Sequence, residues 1–230
     1  MDFELTPEQE LIRRTAREFC DAEIAPHATD WDRAEAVDPA IVAKLAEVGF
    51  LGAALPEEHG GMGLDMRTYA LVVEELGRAD SNIRGIVSVS NGLYGKSVAR
   101  FGSPEQRERL LPPLAAGTEL GCYALTEPGA GSDPGGLETR AEPDGDGWRI
   151  SGQKIFITLG SWAEHALVFA RTGEAELLQQ LDEILMRRDG RGRRLSVERE
   201  ADGARPGQRI TPPPAARPAR RAVRGRPPRA

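Results

Sequence analysis

Cysteine is nearly absent from this sequence: Cys20 and Cys122 are the only two in 230 residues, far apart and without CxxC or Cys/His spacing. That excludes a disulfide framework, a zinc ribbon and a thioredoxin-like motif, and both thiols are expected as small buried hydrophobes. The three histidines, His27, His59 and His165, are isolated by spacing and are expected in the core or on the surface, so no metal site is expected. No apolar run approaches the roughly 20 residues of a membrane span. The acidic start Met1-Asp2-Phe3-Glu4-Leu5 lacks the basic and apolar regions of a secretory signal, so a cytoplasmic location is expected. Neither GxGxxG nor a Walker A pattern occurs, which leaves Rossmann and P-loop readings without support.

What is present divides in two. Residues 186–230 hold fourteen arginines, no lysine, four acids, no aromatic residue and seven of the seventeen prolines, a balance of +10, whereas residues 1–185 carry −16. The first part is patterned and the second is not. At Thr6-Pro7-Glu8-Gln9 a hydroxyl, a proline and an amide stand at N-cap, N1 and N3, which specifies a helix start; Leu11, Ile12, Phe19 and Cys20 share the face that follows. Asp38-Pro39 begins a second helix with Ile41, Val42, Leu45 and Val48 as its stripe and Gly49 as its stop. Ser103-Pro104-Glu105-Gln106 begins another, carrying Leu110, Leu111 and Leu114, whose end Pro112 and Pro113 are expected to disturb. Between them lie a helix through Tyr69, Val72, Val73 and Leu76 and a longer one from Ile83 to Phe101.

After Gly117 short β-rich runs replace the helical period: Cys122 to Thr126, Trp148 to Ser151, Ile155 to Thr158 and Ala166 to Ala170, with a turn at Asp144-Gly145-Asp146-Gly147. The expected class is therefore α+β, with an all-helical domain at 1–117 and a partial antiparallel β-domain at 118–172 of too few strands to close. One amphipathic helix is expected from Glu174 to Arg188, and no packed element beyond it.

The densest chemistry lies at Tyr123-Ala124-Leu125-Thr126-Glu127-Pro128-Gly129-Ala130-Gly131-Ser132-Asp133, a strand running into a polar, glycine-rich turn. Backbone N–H groups at Gly129 and Gly131 and the Ser132 hydroxyl suit a pyrophosphate, although the same pattern also serves as a plain turn. These residues resemble the first signature of the acyl-CoA dehydrogenases, FAD enzymes that introduce a double bond between Cα and Cβ of an acyl-CoA thioester. Gly152-Gln153-Lys154-Ile155-Phe156-Ile157-Thr158 is similar to the family's next strand, and Leu55-Pro56-Glu57-Glu58-His59-Gly60-Gly61-Met62-Gly63 to its early inter-helix loop. The resemblance covers residues 1 to about 172.

It implies that Tyr123, Leu125 and Thr126 lie along the flavin, with Thr126 bonding the pyrimidine edge. Gly131 and Ser132 would hold the FAD pyrophosphate, and Ser132 would also lie near the acyl-CoA substrate. Phe156 would pack on the isoalloxazine and Thr158 would bond near N5. Leu159-Gly160 stands where the family often has Asn-Gly, which leaves the polar contact beside N5 open. Read alone, Tyr123 and Phe156 are equally ordinary sheet-core residues and Glu127 a turn carboxylate. Gly60, Gly61 and Gly63 serve turns, and by resemblance shape the acyl channel.

The family also implies a third, four-helix domain that supplies a glutamate base, the subunit interface and part of the adenine site, with electron-transferring flavoprotein as the electron acceptor. No counterpart is identified here, so the catalytic residue is unknown, and Glu174, Glu176 and Glu183 offer no basis for choosing one. A family homo-oligomer is correspondingly not expected. Residues 173–230 are expected to be a divergent, mostly disordered tail of a truncated or frame-shifted member that is inactive alone; the alternatives are a non-catalytic flavin- or acyl-CoA-binding remnant and a natural basic arm. Such an arm would bind nucleic acid or anionic lipid only through nonspecific charge, since it has no aromatic platform for bases.

Overall fold

The structure, a computed structural model, describes residues 4–144, 147–172, 181–188, 195–198 and 208–210. The helical part comprises α1 (Pro7–Glu23), α2 (Ala25–Ala34), α3 (Ile41–Glu47), α4 (Met66–Ala79), α5 (Ser81–Ser88), α6 (Lys96–Phe101) and α7 (Pro104–Ala115). Its caps follow from the sequence. The Thr6 hydroxyl accepts the Gln9 N–H at 3.2 Å while the Gln9 side chain accepts the Thr6 N–H at 3.2 Å, and Ser103 and Gln106 do the same at α7. Asp65 and Asp80 accept N–H groups at the starts of α4 and α5. Each such cap is worth about 1 kcal/mol.

Four features of this half differ from the sequence reading. The apolar face of α1 buries Ala16 and Cys20, while Leu11 is exposed. The segment expected as one helix from Ile83 to Phe101 widens into a π-helical stretch, Val89–Gly95, between α5 and α6. There the buried Asn91 donates to the Phe50 and Val87 carbonyls and accepts the Ala54 N–H, so a single amide ties the helix to the loop that ends α3. Pro112 and Pro113 do not end α7: they lie inside it, near a C-terminus where Ala116 N–H still reaches the Pro112 carbonyl at 3.0 Å. The helix α2 was not signalled, because none of its residues is buried and periodicity has nothing to report.

The helical core gathers Ala16, Cys20, Leu45, Val72, Leu76, Ile83 and Val87 between α1, α3, α4 and α5. Burial pushes the Cys20 and Cys122 thiols up to about 11, as befits inert core residues. At its margin Glu75, only 2% exposed, accepts Arg17 at 2.6 Å and Arg78 at 2.8 Å, and Arg78 also reaches Asp21, which fastens α1 to α4.

The sheet comprises β1 (Gly121–Ala124), β2 (Arg140–Asp144), β3 (Gly147–Ser151), β4 (His165–Arg171), β5 (Leu181–Arg188), β6 (Leu195–Glu198) and β7 (Gln208–Ile210), ordered β3-β2-β4-β5-β6-β7, with β1 also pairing β4. It is mixed rather than antiparallel, since β1 runs parallel to β4 in the register Gly121↔His165 to Ala124↔Val168. The strand β2 was missed because Arg140-Ala141-Glu142-Pro143-Asp144 lacks β-branched residues. Residues 181–188, expected as helix, pair antiparallel with β4, whose apolar run supplies a template stronger than the local pattern. The strands β6 and β7 extend the sheet where no packed element was expected, and β3 comes against both. The rest of the expected helix (174–180), the expected turn at 145–146 and the remainder of the expected disordered tail lie outside the described residues. Ile155–Thr158, expected as a strand, is a loop, for a reason that belongs to the site.

Sheet and helices meet where Gly121 faces the Tyr94 ring: a Cβ on Gly121 would lie 2.1 Å from that ring, so only hydrogen fits. Tyr94 stacks on His165, whose Nε2 is 2.6 Å from Glu119 Oε2. Among the described residues no helix is long and apolar enough to cross a membrane, and no group of three or more potential metal ligands occurs.

Candidate functional site

β1 and the residue after it bring Tyr123 and Leu125 to the edge of a second apolar core, built from Leu55, Tyr94, Leu114, Leu167 and Phe169, where the Tyr123 ring packs on Phe169 at 4.8 Å between centroids. Both stay partly exposed, as does Thr126. Glu127 then turns the chain, pairing backbone to backbone with Ala130. Gly129 and Gly131 follow with open space where a Cβ would stand, and neither has a left-handed backbone. Among the described residues, packing and backbone geometry therefore give no reason for glycine at either position, and both residues are exposed, as binding of an anion by their amides would require. Ser132 is exposed beside them.

The carboxylate of Glu127 is buried, 5% exposed. It accepts the N–H groups of Glu138 and Thr139, at the far end of the glycine-rich loop, and the Lys154 ammonium at 2.7 Å. Burial alone would raise its pKa, but these donors outweigh it and hold the group down to about 2. Glu127 is thus ionised at neutral pH, with its oxygens already engaged by three donors. Lys154 also donates to the Leu125 carbonyl at 2.9 Å, and the Ile155 N–H donates to Thr126 O at 3.0 Å. The two motifs, 27 residues apart, are thereby laid side by side.

Beyond Ile155 the backbone turns left-handed twice, at Phe156 (φ 55°) and Leu159 (φ 65°), and so cannot extend as a strand. Each such non-glycine residue costs about 1–2 kcal/mol. Ile157, Leu159 and Trp162 turn toward the helical core, and the Leu159 carbonyl accepts the N–H groups of Trp162 and Ala163. Phe156 packs in none of the apolar clusters of the described residues and is 88% exposed. An aromatic ring held out on a strained backbone has no packing role within the described residues, which suits a flat ligand face.

Thr158 is exposed and its methyl approaches Gly85 of α5. Of the predicted residues it lines a cleft of about 720 Å³ bounded by Trp31, Arg84, Ile86, Leu159 and Trp162; Tyr123, Leu125, Thr126, Gly131, Ser132 and Phe156 do not line it. The structure therefore joins 125–127 to 154–155 and sets Thr158 against the helical half. Sequence reasoning did not find the roles of Lys154 and Glu127, nor the contribution of α2 and α5 to the cleft, since no local pattern links positions so far apart.

Two family models match the chain: the acyl-CoA dehydrogenase N-terminal domain over residues 6–118, and the acyl-CoA dehydrogenase middle domain over residues 122–209. A probable acyl-CoA dehydrogenase of Bacillus subtilis is 42% identical over 174 residues, covering 76% of this chain and 46% of its own length. A chain in the structure of the electron transferring flavoprotein of Acidaminococcus fermentans superposes with a TM-score of 0.78 at 38% identity, covering 82% of this chain and 50% of that one. A glutaryl-CoA dehydrogenase of Mycobacterium smegmatis in complex with FADH2 gives a TM-score of 0.76 at 34% identity, covering 85% and 49%. The chain thus spans about half the length of the relatives it matches.

Proposed function

Because the chain belongs to the acyl-CoA dehydrogenase family, we propose that it forms the helical and sheet portion of an FAD site for the α,β-dehydrogenation of an acyl-CoA thioester. The observation that supports this reading is the hydrogen-bonded union of residues 125–127 with 154–155, which lays the two motifs side by side, with the exposed Phe156 next along the chain. The residue types present fit such a cofactor. Amides of Gly129 and Gly131 with the Ser132 hydroxyl bind the diphosphate. Tyr123, Leu125 and Phe156 form an apolar wall that orients the ring and excludes water from one face. Thr126 and Thr158 supply hydroxyl donors at its polar edge, and Ser132 also lies near the acyl-CoA. FAD, when bound, accepts hydride from Cβ of the substrate.

The α-proton requires a base within hydrogen-bond reach. Glu127 does not fill that role, because a carboxylate near 2 that already accepts three donors has little proton affinity at neutral pH. Glu174 and Glu176 lie outside the described residues. We therefore expect this stretch alone to bind FAD weakly, since Phe156, Ser132 and Thr158 face water that competes for every polar contact, and not to turn over. Electron-transferring flavoprotein is the proposed electron acceptor of the complete assembly.

The test is to purify the 230-residue chain, titrate FAD while recording flavin fluorescence quenching, and add acyl-CoAs of several lengths to look for bleaching. Saturable quenching without bleaching is expected. Absence of any quenching would overturn the cofactor site, and a stoichiometric yellow protein bleached by acyl-CoA would overturn the claim of inactivity.

A further inference from the structure

Three segments of the proposed flavin-facing surface converge on one ion pair. Glu127 closes the segment that starts at Tyr123, and its oxygens accept Glu138 and Thr139 N–H groups, where the loop bearing Gly131 and Ser132 returns. Lys154 introduces the segment bearing Phe156 and Thr158; its side chain is 12% exposed, and its ammonium is divided between Glu127 Oε1 and the Leu125 carbonyl.

Burying two ions removes hydration from both, and a well-packed apolar pair of similar volume would hold a fold as well or better. What an apolar pair lacks is direction. An ammonium with two acceptors, on residues 125 and 127, fixes the position of residue 154 along the other segment. Directly downstream stand Phe156 and Leu159, whose left-handed backbones persist only where their surroundings over-determine them. The Leu159 carbonyl, bonded to Trp162 and Ala163, anchors the far end; Lys154, with the Ile155 N–H on Thr126, anchors the near end.

We propose that Lys154, through Glu127 and Leu125, is a positioning residue that holds residues 155–158 with the Phe156 ring presented to the flavin. This rests on the cofactor site proposed above. Lys154 does not itself touch the ligand; it sets the geometry of the residues that do.

The experiment uses the full chain and four variants: Lys154→Met, Lys154→Arg, Glu127→Gln, and the double variant Lys154→Met with Glu127→Gln. Three quantities are read: amide hydrogen exchange at Ile155 and Phe156 without ligand, the thermal midpoint, and FAD affinity by fluorescence quenching. Lys154→Met is expected to speed exchange at Ile155 by about tenfold or more and to weaken FAD by about tenfold, with Lys154→Arg restoring most of both. The double variant leaves no unpaired buried charge, so its thermal midpoint should recover while exchange stays fast and FAD stays weak. If the double variant recovers exchange and affinity together with the midpoint, the pair only supports folding and the proposal is overturned. Should the unmodified chain bind no FAD, the cofactor reading fails by itself, and the exchange data alone decide whether Lys154 positions the segment.

Discussion

Each half of the molecule buries one glutamate among cations, and the two are held differently. Glu75, on α4, is gripped by Arg17 and Arg78, whose side chains are 55% and 43% exposed. Its partners are thus half in water, and the cluster fastens two helices that already share a core. Glu127 is gripped by Lys154, 12% exposed, and by two backbone N–H groups. Lys154 is less hydrated than either arginine, and Glu127 fastens the start of the glycine-rich loop both to the loop's return and to residue 154. The same side chain is therefore auxiliary in the helical half and decisive in the sheet half, because the alternative open to the partners differs.

The largest expected effect sharpens that comparison directly. Glu127→Ala strands the Lys154 ammonium and the Glu138 and Thr139 N–H groups, the last of them buried, and should cost about 3–5 kcal/mol, whereas Glu75→Ala frees two arginines that can hydrate and should cost about 1–2 kcal/mol. Denaturant unfolding of both variants measures the gap, and equal losses would break the contrast.

A second, pH-dependent effect follows from the same carboxylate. Its pKa in the folded chain, about 2, lies below the ordinary 4.5, so its stabilisation is complete above pH 4.5 and is lost as pH falls toward 2. That contribution is about 3 kcal/mol at neutral pH. Glu127→Gln should therefore flatten the stability curve of the chain across that window. The Glu75 carboxyl is also lowered, chiefly by hydrogen bonding from Arg17, so Glu75→Gln should act in the same direction and less strongly. A chain whose acid limb is unchanged by Glu127→Gln would contradict the assignment.

The smallest effect has the opposite sign. Phe156 combines a φ of 55° with 88% exposure, so replacing it removes strain and almost no burial. Asparagine tolerates the left-handed region, and Phe156→Asn should stabilise the chain by about 0.5–1 kcal/mol while weakening FAD binding. Loss of stability in this variant would mean that the ring packs within the protein and is no ligand face.

How much of this was legible is best judged at particular residues. The α1 and α7 boxes were legible because a hydroxyl and an amide three residues apart satisfy each other's orphan donors with no help from the rest of the chain. The strand β4 was legible as a continuous apolar run. Residues 181–188 read as an amphipathic helix, and 155–158 as a strand, because their local patterns are real; each was overruled by partners distant in sequence, β4 in one case and the pull of Ile157, Leu159 and Trp162 toward the helical core in the other. The proposed site follows the same rule: the two motifs name its candidate residues, while the bonds that join 125–127 to 154–155 could be read from neither motif.

The sequence by itself therefore determined where helices begin, which residues are apolar enough to be core, and which family the motifs resemble. Tertiary structure alone decided that β1 runs parallel to β4, that Gly121 must be glycine beneath Tyr94, that Glu127 is buried against Lys154 and two backbone N–H groups, and that Phe156 is exposed on a strained backbone. The physical reason is range. Caps and periodicity depend on neighbours three or four residues away, which a sequence displays, whereas burial, ion pairing and strain depend on which distant segments share the same few ångströms, which only the folded chain establishes.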